Sequence, residues 1–207
     1  MKSRQRGVTL IESVVVMAIA VILLRLAVPA FSAWLGNVQT RTVAESLQSG
    51  LQLARAEAIR RNAPVTFWLT STAVPQTADW LVGCATPVGT GQIPEQPGDC
   101  PGITTTAGLP AAGTTTFTPW IQNVSAAAQQ STLVQIATPN GGTEVTFSSV
   151  GLVTTNKDNS PAIQEIDITA PALPTAQARP LKVMISGGQI RMCDPALALA
   201  NDPRGCN

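Results

Sequence analysis

The chain has no histidine and no tyrosine, and only four phenylalanines and four tryptophans among 207 residues. Without imidazole, Ser-His-Asp and Cys-His catalysis and imidazole-ligated metals are excluded. Charge is scarce as well, with 12% of residues Asp, Glu, Lys or Arg. Lys2, Arg4 and Arg6 account for much of the basic side. With these set aside, 10 basic residues face 12 acidic ones, which gives the remainder no general attraction for nucleic acid. CxxC spacings are missing too. Cys84, Cys100, Cys193 and Cys206 lie in loop-rich sequence with no His to complete a zinc site, so paired disulfides in an oxidising compartment are the better reading. Gly89-Thr90-Gly91 lacks the lysine and helix of a phosphate loop. Glu165 and Asp167 share one face of a strand-like run, but paired acids on a strand are far more often solvated than catalytic. No catalytic site, metal or cofactor is assigned.

One long apolar run stands out against these absences. Residues 7–31 read GVTLIESVVVMAIAVILLRLAVPAF, with Glu12 inside the run. A secretory signal ends in a small-residue cleavage site after its apolar core, whereas here the small residue, Gly7, precedes it. Cleavage after Gly7 leaves the apolar segment on the mature chain. From Val8 to Leu24 a helix at 1.5 Å per residue extends roughly 25 Å, just short of a hydrocarbon core. Arg25 at its far edge can snorkel. Basic residues before the run keep the N-terminus cytoplasmic and send the rest outward, in agreement with oxidised cysteines. The segment reads as a membrane anchor, and a carboxylate inside such an anchor is costly unless it has a function.

Gly7-Val8-Thr9-Leu10-Ile11-Glu12, behind a short basic leader and before a Val/Ile/Leu run, resembles the class III signal of type IV pilins and type II secretion pseudopilins. The resemblance implies that a prepilin peptidase cuts after Gly7 and methylates the new amine of Val8. Valine departs from the phenylalanine usual at that position. Glu12 matches the family's fifth mature residue and Pro29 its helix-bending proline. In the family, filament packing brings the new amine near a neighbour's glutamate. Two charges that are each expensive in lipid then neutralise one another, so Glu12 favours assembly over remaining single in the bilayer.

Beyond Pro29 the pattern becomes amphipathic. Val43, Leu47, Leu51, Ala54 and Ala58 recur at spacings of four, four, three and four, one stripe of a helix. Arg60 and Arg61 suit its negative end. Pro64 disfavours helix at Ala63, and Asn62 can adopt a left-handed cap, so the helix should stop near residue 62. Strand-like runs follow at Pro64–Thr70, Asp79–Cys84, Leu133–Ala137, Glu144–Ser148, Ile163–Thr169, Leu181–Ser186 and Gln189–Cys193, with a Gly/Pro/Thr-rich loop over 85–116. The string ARAEAIRRNAPVTF, then Trp80-Leu81-Val82-Gly83 and Phe147-Ser148-Ser149-Val150-Gly151, is similar to the H-type pseudopilins, a group that includes the FimT and FimU minor pilins. That resemblance implies an α+β, pilin-like fold. A leader (1–7), an anchor and assembly helix (8–35) and an amphipathic helix (36–62) precede a periplasmic domain (63–207), an antiparallel β-sandwich packed on the helix.

Gly187-Gly188 reads as a two-residue hairpin turn that sets Ile185 opposite Ile190 and Val183 opposite Met192 on the core face. Lys182, Met184, Ser186, Gln189 and Arg191 then point to solvent, with Arg179 and Arg204 as further candidate DNA contacts. FimT proteins that bind DNA carry Gly-Arg-x-Arg here. This chain reads Gly188-Gln189-Ile190-Arg191, lacks the first arginine, and so favours a solvated hairpin. The pairs Cys84–Cys100 and Cys193–Cys206 close the shortest loops among the three connectivities.

The expected role is a structural, non-enzymatic minor pilin or pseudopilin of the inner membrane. It would join the initiating tip of a type IV pilus or type II secretion pseudopilus, alongside other minor subunits, the major subunit and the assembly platform. The alternative is a DNA-binding pilin for natural transformation.

Overall fold

The computed structural model describes residues 9–70, 77–84, 120–124, 133–156 and 158–206, with backbone alone at 26–30, 84, 120 and 123. It divides into a first unit ending at Leu35 and a second beginning at Gly36. A single helix, α1 (Leu10–Arg61), supplies nearly all of the described first unit and opens the second. Among the described residues nine strands follow: β1 (Val65–Leu69), β2 (Trp80–Cys84), β3 (Trp120–Val124), β4 (Gln135–Ala137), β5 (Glu144–Phe147), β6 (Val153–Thr154), β7 (Glu165–Thr169), β8 (Leu181–Ser186) and β9 (Gln189–Cys193).

In the first unit the described side chains of α1 from Leu10 to Arg25 are exposed all round, as in a helix meant for a partner other than water. In the second unit the expected stripe is fully buried: Val43, Leu47, Leu51, Ala54 and Ala58 have no exposed surface. The helix ends where its chemistry demands. Asn62 takes φ 50°, the Ala63 N–H reaches back to the Ala58 carbonyl at 3.2 Å, and Pro64 follows.

The strands form two antiparallel sheets, β3-β2-β1-β5-β6 and β4-β7-β8-β9. Phe67, Trp80, Val145 and Phe147 from the first, and Ile166, Ile168, Val183 and Ile185 from the second, join the helix stripe in one core. Gly50 on α1 lets the first sheet approach closely, since a Cβ there would lie 3.0 Å from both Phe67 and Trp80. Those two rings stack with centroids 5.7 Å apart, and the Trp80 indole N–H donates to Ser46 Oγ at 3.0 Å.

Two strands have no counterpart among the sequence-predicted runs. β3 is short, with Gln122 and Asn123 at its centre, and β6 is only two residues long. The run predicted from Ile163 begins as a strand only at Glu165. Ala162 and Ile163 instead belong with β5: Glu144 bridges Ala162, and the Ile163 N–H donates to the Glu144 carbonyl at 2.9 Å. The next residue, Gln164, accepts from the Ile185 N–H at 2.8 Å, so the segment crosses from one sheet to the other.

Candidate functional site: the assembly helix and the terminal hairpin

Gly7 and Val8 lie outside the described residues, as do Cys100 and the side chains of Pro29 and Cys84. The described chain begins at Thr9, whose hydroxyl accepts from the Glu12 N–H at 3.4 Å, while Ser13 bonds back to the Thr9 carbonyl. Thr9-Leu10-Ile11-Glu12 is therefore the start of a helix as well as part of the leader motif. A Thr followed three residues later by Glu is the capping-box pattern, and a carboxylate in the first turn suits the positive end of the helix dipole. The sequence reading gave Glu12 only its filament role, although the capping spacing was visible in the same four letters. The backbone of α1 continues unbroken through position 29.

At the other end of the chain, β8 and β9 pair as predicted, with Ile185 opposite Ile190 and Val183 opposite Met192. Gly187 and Gly188 both take positive φ, which the turn requires. The outer face departs from expectation. Lys182 does not stand free in solvent as the alternation predicts: its Nζ lies 3.1 Å from Asp167 Oδ1 and 3.3 Å from Glu165 Oε2. The register causes this, because Asp167 sits directly opposite Lys182 and Glu165 one pair along. Asp167, with Glu165 behind it, raises the Lys182 amine above its usual range and keeps it charged. The acidic pair on β7 is half-buried and is the ion-pair partner of Lys182.

Arg191 is also engaged. Its Nη2 donates to the Cys206 carbonyl at 3.1 Å and touches Met184 Sδ at 3.9 Å. The carbonyl is held there by a disulfide between Cys193 and Cys206 and by pairing of Asp194 with Gly205. Arg204 is bound to Asp202 at 2.7 Å, an exposed pair that pulls the carboxyl of Asp202 down to about 2. Arg179 and Arg204 share a groove with Arg41, Leu181 and Met192, which neither Lys182 nor Arg191 lines. Arg179 and Arg204, the further candidates, thus line a groove that does not include Lys182 and Arg191.

A family model described as type II transport protein GspH matches residues 43–189. The chain belongs to the GspH family. The prokaryotic N-terminal methylation motif matches residues 2–24 as well. The GspH match takes in the sequence strings quoted above from the end of α1, β2 and the turn after β5. Members of the GspH family are structural pilin or pseudopilin subunits, anchored in the inner membrane by the N-terminal helix. The methylation motif implies processing by a prepilin peptidase and assembly with other pilin-type subunits. Among solved structures, two crystal forms of the Pseudomonas aeruginosa type IV minor pilin FimU are similar at 15% identity. Their TM-scores are 0.43 and 0.42, with 81% of this chain and 94% and 99% of theirs covered. No curated protein matches. Among the described residues of this GspH-family chain, no helix is long and apolar enough to cross a membrane, and no group of acids or cysteines could hold a metal. Within the apolar run, side chains are described from Thr9 to Arg25 and again at Phe31.

Proposed function

We propose that this GspH-family chain is a non-enzymatic subunit of the initiating tip of a type IV pilus or type II secretion pseudopilus. Residues 8–35 hold it in the inner membrane, with the N-terminus cytoplasmic and residues 63–207 periplasmic. A prepilin peptidase removes residues 1–7 and methylates Val8. Glu12 then pairs with the terminal amine of a neighbouring subunit, which draws the chain from the bilayer into the filament beside other minor subunits and the major one. The observation that carries this reading is the methylation motif over residues 2–24 joined to a GspH match over residues 43–189.

The capping geometry dictates how the role of Glu12 is tested. Glutamine can serve a capping box but carries no charge. Glu12→Gln and Glu12→Val should both insert and both be cleaved at Gly7, seen as a methylated Val8 terminus by mass spectrometry. Both should fall well below wild type in sheared filaments or purified tip complexes. Recovery of Glu12→Gln at the wild-type level would reduce Glu12 to a helix cap.

A further inference from the structure

A groove of about 380 Å³ in the second unit joins elements distant in sequence: Arg41 on α1, Arg179 and Leu181 leading into β8, Met192 on β9, and Arg204 in the tail. Its loop is fixed to the helix through Asn37, whose Oδ1 accepts from the Arg179 N–H at 2.9 Å and whose Nδ2 donates to the Gln177 carbonyl at 2.9 Å. Three guanidinium groups therefore surround a floor of two half-buried apolar side chains. Two of them already hold carboxylates, Arg41 with Glu45 and Arg204 with Asp202, each at 2.7 Å. Arg179 forms no ion pair among the described residues.

We propose that this groove receives a carboxylate-bearing, otherwise apolar segment of polypeptide from a neighbouring subunit. That the segment comes from a subunit rests on the assembly reading above. The chemistry of the groove selects the ligand. Guanidinium forks match carboxylates geometrically, and Leu181 and Met192 offer an apolar seat beside the charge, with methionine able to adapt to varied side chains. Asp194 also lines the groove and opposes a doubly charged phosphomonoester more than a single carboxylate, which leaves the singly charged phosphodiester as the alternative for the test to separate. The volume is at the small end for binding pockets, enough for a short segment within a larger contact. Arg179, which forms no ion pair among the described residues, is the reader.

The full chain in detergent, titrated with a labelled peptide alternating aspartate and leucine, tests the groove without requiring a filament. Binding should weaken with salt, fall about three- to tenfold in Arg179→Ala, and be absent for the asparagine–leucine analogue. Met192→Ala, which removes part of the apolar seat and keeps the core face apolar, should also weaken binding of the peptide while circular dichroism stays native. Equal binding by wild type and Arg179→Ala would overturn the proposal. So would Arg179-dependent binding of single-stranded DNA or of vesicles containing phosphatidylglycerol in place of the peptide, because the groove would then be a phosphate site. Failure of the Glu12 variants to lower assembly would strike the filament role and leave the groove standing.

Discussion

Glu144 begins β5 half-buried, with its carboxyl beside that of Asp158 and its Oε1 accepting from Ser160 Oγ at 3.3 Å. Burial, then the Asp158 carboxyl, pushes its pKa up to about 7 from 4.5. Asp158 moves the other way, lowered chiefly by hydrogen bonds from Ser160. The folded chain thus binds a proton at Glu144 more tightly than the unfolded chain does. Its contribution to stability is greatest below pH 4.5 and is lost as pH rises towards about 7. The lowered acids Glu57, Asp158 and Asp202 act with opposite sign, as pH falls through and below 4.5 for Glu57 and 3.8 for the two aspartates. Across pH 5 to 8 the denaturation midpoint of the wild type should therefore decline while that of Glu144→Gln stays flatter. Parallel pH profiles for the two proteins would show that Glu144 titrates normally. Nothing in the sequence marks this residue; its shift comes from burial at the start of β5 and from the carboxyl of Asp158, a residue distant from it in the chain.

Among the elements, those with a strong repeat were legible in the sequence. The α1 stripe, its stop at Asn62 and the terminal hairpin register all follow from spacing and turn chemistry. β3 and β6 were hidden because five residues with a polar centre, or two residues, give no periodicity to read. The ion pair on the outer face was hidden for another reason. Lys182, Glu165 and Asp167 were each placed on a strand face, but which strands are neighbours is a tertiary fact. That pairing governs the DNA question. With the charge of Lys182 already paired to Asp167 and Glu165 and Arg191 bound to a carbonyl, the hairpin should bind single-stranded DNA more weakly than about micromolar at low salt, and Gln189→Arg should strengthen it. Tighter binding in a gel-shift titration, lost in Arg191→Ala, would make this a DNA-uptake pilin instead. The disulfide belongs to the same element. Cys193 and Cys206 are 13 residues apart, and replacing both by alanine should cost about 3 kcal/mol on the loop-entropy model. Amide exchange at Asp194, which donates to the Arg204 carbonyl at 2.7 Å, should speed up with it. A peptide map joining Cys84 to Cys193 or Cys206 would contradict the pairing.

For the whole second unit, stability depends on one helix serving two sheets. Leu51 is fully buried in the core shared by all three layers. Leu51→Ala should cost about 2–5 kcal/mol, read as a lower denaturation midpoint with an unchanged slope. An effect under about 1 kcal/mol would mean that the helix packs loosely. The turn after β5 ties the layers at a second point. The Gly151 carbonyl accepts from Arg55 Nε at 3.1 Å, and Gly188 of the terminal hairpin approaches that same oxygen so closely that a Cβ would lie 2.4 Å from it. In the proposed filament, tension would load the subunit along α1. The apolar stripe would pass that load to the sheets by side-chain packing, whereas the bond from Arg55 to the Gly151 carbonyl, like that from Trp80 to Ser46, has a direction. The helix side chain that grips the Gly151 carbonyl, Arg55, lies near the end of α1, so strain collected along the helix would be delivered at this turn to both sheets at once.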